Sequence, residues 1–254
     1  MTNSLSADSF SSWKHSLQNV DSLAALISRS YSFEVQDHNY SLVPFTDLDT
    51  RSDVNCEVLA NWRTEHIYAY PTRSEITIAG TVKWLERSVL SNNQRILFWI
   101  VSCALERIGH IGIVHNIDSN TLEVDNVLRG TSGRFPGVMT GALLKIESLA
   151  EEEFSVNEIF LRVLESNTHA VKFYEKNDYL VLEVEDLTWN TLESGQQLVP
   201  GLPKNDAFLT MKKDLQSQNG DVPDLILTAG PSISPLEISY VMDAVSHGWN
   251  AKHS

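Results

Sequence analysis

A chain of 254 residues with 42% hydrophobic and 20% charged side chains has the make-up of one ordinary globular domain plus appended segments, which excludes a disordered polymer. Its formal net charge of -14 excludes a nucleic-acid partner, because binding a phosphate backbone needs clustered Lys and Arg to displace counterions. No stretch nears the ~18 continuous apolar residues of a membrane span, and residues 1–11 lack the basic and apolar regions of a signal peptide, so a cytoplasmic protein without membrane contact is expected.

Residues 6–31 are Ser-rich, yet Leu17, Val20, Leu23, Leu26 and Ile27 fall at helical spacing, and 1–36 is expected to form a helical extension. The main domain is expected over 37–215. Residues 40–45 alternate as a first strand, and Ser52 and Asp53 supply N-cap chemistry for a helix holding Val58, Leu59 and Trp62. Tyr70-Pro71-Thr72 reads as a breaker before a helix over 76–89, which Ser91-Asn92-Asn93 ends. Three strands at 95–104, 107–115 and 121–128 then form an antiparallel meander. A polar, Gly-rich loop over 129–137 opens into a helix over 138–152, with Leu143, Leu144, Ile146 and Leu149 inward. A strand at 158–165, a helix at 168–176, a strand at 179–184, a loop at 196–206 and a strand at 207–211 that closes the sheet complete the domain. This order predicts a mixed α/β sandwich and not a doubly wound fold. Cys56 and Cys103 fit no metal spacing and are expected as free thiols, with no metal site. A polar linker over 216–223 leads to a tail, 224–254, too short to fold alone.

The sharpest local signal is Asn167-Thr168-His169-Ala170-Val171-Lys172-Phe173-Tyr174-Glu175-Lys176-Asn177-Asp178-Tyr179 at a strand-to-helix junction. Asn167 can cap the helix, and Ala170 and Phe173 share a face that can pack on the sheet. The segment resembles the Asn-x-x-Ala-x-x-Phe-Tyr-x-Lys-x-Gly-Phe run of the GNAT superfamily of acetyltransferases; Asp178 and Tyr179 depart from it. The resemblance implies a mixed, mainly antiparallel, twisted sheet flanked by helices. It also implies acetyl-CoA as co-substrate and an amine as acceptor. Tyr174 would be the general acid that protonates the departing thiolate; its structural reading is a core tyrosine. Upstream, Arg134-Phe135-Pro136-Gly137-Val138-Met139 stands where the superfamily's loop and helix N-terminus hold the CoA pyrophosphate through backbone N–H groups. Met139 replaces a small residue, and Pro136 lacks an N–H. The CoA-binding set implied by the resemblance is Val127, Leu128, Arg134, Phe135, Gly137, Val138, Met139, Asn167 and Phe173.

An ammonium must lose a proton before it attacks. Glu123 and Asp125, on one face of the strand entering the CoA loop, are candidate bases, with Glu123 preferred; His110, His169 or a chain of waters are alternatives. Trp62-Arg63-Thr64 and Thr81-Val82-Lys83-Trp84-Leu85-Glu86-Arg87 resemble segments of superfamily members that acetylate nucleotide-linked amino sugars. That implies acceptor contacts from Arg63, Tyr70 and Trp84, with an Arg fork for the diphosphate and Tyr68 or Tyr70 as an aromatic face for stacking. The bland alternative makes Trp62 and Trp84 core anchors. In the tail, Leu225-Ile226-Leu227-Thr228-Ala229-Gly230-Pro231 through Gly248-Trp249-Asn250 resembles the opening of DegT-type sugar aminotransferases. Such enzymes use pyridoxal phosphate (PLP), but the lysine that holds PLP is not in this stretch, so PLP is not expected here. An aminotransferase domain or a second copy of the chain is the partner this reading suggests. The sequence thus predicts an acetyl-CoA-dependent N-acetyltransferase for a nucleotide-linked amino sugar. Acetylation of a protein N-terminus or a small amine is the alternative enzyme reading, and a non-catalytic CoA- or sugar-binding or docking module is the alternative from another class.

Overall fold

The computed structural model describes residues 5–20, 22–131 and 133–215, so the expected linker over 216–223 and the aminotransferase-like tail over 224–254 lie outside the described residues. Helix α1 (Ala7–Gln18) begins with a capping box: the Ser6 hydroxyl accepts from the Ser9 backbone N–H, and the Ser9 hydroxyl accepts from that of Ser6. It buries Phe10 and Leu17 in the main core. After α2 (Leu23–Ser28), strand β1 (Tyr31–Val35) turns through Gln36 and Asp37, both at positive φ, into β2 (His38–Pro44). Such a two-residue turn matches the twist of paired strands and sets Val35 opposite His38. The extension expected over 1–36 is therefore helical only in its first part. Its last residues, Tyr31-Ser32-Phe33-Glu34-Val35, alternate apolar with polar and join the sheet.

Helices α3 (Asp47–Thr50) and α4 (Asp53–Glu65) follow, with Ser52 capping α4 by accepting from the Asn55 N–H. Where a breaker and one long helix are expected, the chain forms a short strand β3 (Thr72–Ser74) and a helix α5 (Ile78–Trp84) that widens into a π turn over Leu85–Leu90. The end of that turn is tied to α1. The Lys14 ammonium donates to the carbonyls of Val89, Leu90 and Asn92 at 2.8, 2.8 and 2.6 Å. Burial, and then the neighbouring Arg95, lower the Lys14 pKa to about 8.

The meander forms as expected, as β4 (Arg95–Ser102), β5 (Arg107–Asn116) and β6 (Thr121–Arg129). Helix α6 (Val138–Phe154), strand β7 (Glu158–Leu164) and helix α7 (Thr168–Glu175) come next, then β8 (Leu180–Leu192), β9 (Gly195–Pro200) and β10 (Asp206–Asp214). These strands form one sheet in the order β1-β2-β4-β5-β6-β7-β10-β8-β9-β3. Two expectations change. Residues 195–200 are not loop but strand, pairing β8 on one side and β3 on the other. Strand β10 does not close the sheet at an edge, because β7 and β8 leave a gap one strand wide that β10 fills antiparallel to both.

The apolar run of β4 explains its central place. Ile96, Phe98 and Ile100 face a core shared with α1, α6 and α7, while Leu97, Trp99 and Val101 face a second core shared with α4 and the π turn. Burial on both faces is what a continuous apolar strand requires. The result is a mixed, mainly antiparallel sheet flanked by helices. Across the first core, Lys213 of β10 and Glu147 of α6 form a buried ion pair at 2.7 Å. Cys56 is buried and Cys103 exposed, both as free thiols. No helix among the described residues is long and apolar enough to cross a membrane.

The feature that positions the site is a parting of strands. β6 and β7 are parallel and pair only over Leu122, Glu123 and Val124 against Ile159, Phe160 and Leu161. Both continue beyond that point without pairing to each other, while β6 carries an irregularity against β5 between His110 and Gly112, with Asn126 at φ 48. A bulge of this kind bends a strand and breaks its ladder. Residues 125–129 thus leave a backbone edge open toward 162–164.

Candidate active site at the parted strands

Two cavities meet at this opening. One, of about 410 Å³, is walled by β6, the start of α6 and the outer face of α7. The other, of about 210 Å³, lies between β6, β7 and the segment Ala69-Tyr70-Pro71. Val127, Ala170 and Tyr174 line both. Asn167 places Tyr174 there: its side chain accepts from the Ala170 N–H and starts α7 at the end of β7. Tyr174 is 7% exposed, and burial, followed by the Asp125 charge, pushes its phenol well above the ordinary range. At neutral pH this hydroxyl keeps its proton.

Glu123 and Asp125 both line the smaller cavity. Glu123 is paired with Arg162 at 3.2 Å and Asp125 with Arg95 at 2.8 Å, and the Asn126 amide donates to Asp125 at 2.6 Å. His110 is placed elsewhere, fully buried within β5 and off both cavity walls. Its Nδ1 lies 2.6 Å from the Asn126 carbonyl and donates to it; burial pulls its pKa down to about 4, so it stays neutral. His169 lies on the wall of the larger cavity.

On the larger cavity's wall stand Val127, Gly137, Met139 and Phe173 of the expected CoA set. Gly137, at φ 77, takes the left-handed turn that opens α6. Asn167 lines the smaller cavity. Four expected residues are placed off both walls. Leu128 points into the second core, and Val138 is fully buried in the first. Phe135 packs edge-on against Tyr40 at 6.1 Å. Arg134 turns outward into a two-pronged ion pair with Glu106, at 2.7 and 3.0 Å. In its stead Arg129 lines the cavity and braces the loop, donating to the Thr131 carbonyl at 3.0 Å and to that of Arg134. Lys172 and Lys176 complete a cationic wall. Sequence spacing held the signal for them: 169, 172, 173 and 176 fall on one face of a helix.

The structure brings Arg63, Tyr70 and Trp84 together, with Arg63 and Trp84 off both cavity walls. The Arg63 guanidinium lies over the Trp84 ring at 4.6 Å and the Tyr70 ring at 5.5 Å, and Tyr70 forms part of the smaller cavity's wall. Burial raises the Tyr70 pKa to about 12, with Arg63 acting against that rise. Trp62, by contrast, is a core residue, stacked edge-on to Trp99.

A mixed sheet parted at its parallel pair, with a helix N-terminus and a buried phenol at the gap, defines an acetyltransferase fold. The chain belongs to the acetyltransferase (GNAT) domain family, whose model matches residues 41–179. Among solved structures it is similar to a GNAT-family acetyltransferase from Chromobacterium violaceum, with a TM-score of 0.57 and 11% identity over 74% of this chain and 88% of that one. The spermidine/spermine N-acetyltransferase of Vibrio cholerae is similar at a TM-score of 0.50 and 11% identity, over 71% and 95% of the two chains. An N-acetyltransferase of Staphylococcus aureus gives a TM-score of 0.50 at 14% identity, over 70% and 99%. Likeness at these identities is a likeness of fold. Among curated proteins none matches in sequence.

Proposed function

We propose that this acetyltransferase transfers the acetyl group of acetyl-CoA to the amine of a nucleotide-linked amino sugar, by direct attack of the amine on the thioester. The observation that carries the reading is the meeting of two cavities at Tyr174, one with a cationic wall and one with an aromatic and carboxylate wall. In this reading the phosphates of CoA lie against Arg129, Lys172 and Lys176 and the N–H groups at Gly137 to Thr140. The amides of its pantetheine arm pair with the open backbone edge of residues 125–129. Glu123, directly or through a water, takes the proton from the acceptor ammonium. The free amine attacks the thioester carbon; as the tetrahedral intermediate collapses the carbon–sulfur bond breaks, Tyr174 gives its proton to the leaving sulfur, and the second proton shed by the attacking nitrogen as it becomes an amide restores the phenol.

Arg63 between Tyr70 and Trp84 supports an acceptor that brings a phosphate with its amine. Acetylation of a small polyamine is the second reading, favoured by Glu123 and Asp125 on the cavity wall. It ranks below the first because Arg162 and Arg95 already meet those two charges. The test is a direct one. Acetyl-CoA is titrated into the protein, and amino-sugar nucleotides, free amino sugars and spermidine are then compared by kcat/KM. Preference for the nucleotide sugars is expected. Absence of acetyl-CoA binding would remove the transferase reading, and preference for spermidine would replace the acceptor.

A further inference from the structure

Arg63 has a counterpart that the sequence did not single out. Arg73, in β3, holds its guanidinium 4.5 Å from the Trp189 ring centroid and 5.2 Å from that of Tyr68. Both arginines adjoin the segment that walls the smaller cavity, Arg63 through the Tyr70 ring and Arg73 two residues beyond Pro71. Residues 69–71 line the acceptor cavity; Arg63 stacks on Tyr70 within that run, and Tyr68 and Arg73 stand on either side of it. The wall is fixed from behind, since the Leu198 N–H donates to the Pro71 carbonyl at 2.8 Å and β3 pairs with β9 with Arg73 opposite Gln196.

Both arginines lack the partners such groups normally have. The Nε of each is buried without a hydrogen bond among the described residues, and neither pairs with a described carboxylate. What sets these two apart among the described arginines is the combination of two aromatic rings against each guanidinium with a buried Nε that makes no hydrogen bond. Stacking occupies the flat faces of a guanidinium and leaves its in-plane N–H fork to bind an oxyanion. Tyr68, at 69% exposed, adds a free aromatic face beside that fork.

We propose that Arg73, held between Tyr68 and Trp189, is a second anion contact of the acceptor site, and that with Arg63 it selects acceptors whose amine is carried on a nucleoside diphosphate. The inference rests on the acceptor reading given above and adds to it a residue and a selection rule. A polyamine of equal reach would meet two cations at this wall and be turned away.

The test uses the full chain saturated with CoA, so that the CoA phosphate site is filled, and uridine diphosphate as the probe in calorimetry. Wild-type protein is expected to bind it. Arg73→Ala is expected to weaken binding by about ten-fold or more, and Arg73→Lys by less, because the charge stays while the fork is lost. Arg73→Ala is expected to keep wild-type CoA affinity and melting temperature, and to raise KM for an amino-sugar nucleotide while leaving KM for a neutral amine unchanged. Equal uridine diphosphate affinity in wild type and Arg73→Ala, with CoA binding intact, overturns the second contact and leaves the acetyltransferase reading standing. Loss of CoA binding in the wild type itself would take down both.

Discussion

Tyr174 shows how one residue's surroundings set its task. A phenol held between two cavities, with burial and a carboxylate both opposing ionisation, stays protonated at neutral pH, as the proposed general acid must. Tyr174→Phe is expected to lower kcat by ~10² to 10⁴ with acetyl-CoA affinity little changed, as steady-state rates and a binding titration would show. His110 makes a different prediction. Its folded pKa is near 4 against 6.5 for the free side chain, so the folded state declines a proton that the unfolded chain accepts. Its contribution is complete above pH 6.5 and is lost as pH falls toward 4, by about 1.4 kcal/mol per unit. The groups set against its protonation, Arg63 and His66, lie in and just beyond α4, and Asn126 faces it from β6. Chemical denaturation between pH 7 and 4.5 would measure the slope, and His110→Gln should flatten it. Tyr174, Asn167 and Gly137 were legible in the sequence because their chemistry is bound to local spacing. The position of Arg134 off the cavity walls was not legible, because its ion-pair partner, Glu106, lies in the turn between β4 and β5, where no local pattern points.

At the scale of elements, contacts between distant segments decide most of what local pattern missed. Trp62 lies where a Cβ on Gly130 would sit, 1.9 Å from the ring, so only glycine lets β6 leave the sheet beneath α4. Gly130→Ala is expected to cost about 1–3 kcal/mol in urea denaturation as the indole is displaced. Lys14 joins α1 to the π turn through three carbonyls. Lys14→Met should cost a similar ~1–3 kcal/mol, since the three hydrogen bonds of the ammonium are lost. The meander and both helices at the site were readable from period and caps. The β8–β9 hairpin was not, because Gly195, Pro200 and Gly201 imitate a loop and only pairing with β8 and β3 makes that stretch a strand. β1 was hidden in the same way behind a Ser-rich helix, and β10 could be read as a strand but not given its neighbours.

For the molecule as a whole, the opening leaves residues 125–129 and 162–164 without pairing between β6 and β7. Acetyl-CoA bound there is expected to protect those amides from hydrogen exchange more than amides elsewhere in β6 or β7. At a hundred-fold excess over Kd it should stabilise the fold by about 2.7 kcal/mol, read as a rise in Tm. The same parting has an engineering consequence. Before β6 and β7 separate, three residue pairs join them, and the chain crosses from one half to the other through the short turn between α6 and β7. The walls of the larger cavity come from both halves: Val127, Arg129 and Met139 from the first, Lys172, Phe173 and Lys176 from the second. Cut in that turn, the two fragments are expected to reassemble far better with acetyl-CoA than without it, which would turn the enzyme into a split sensor for its own co-substrate.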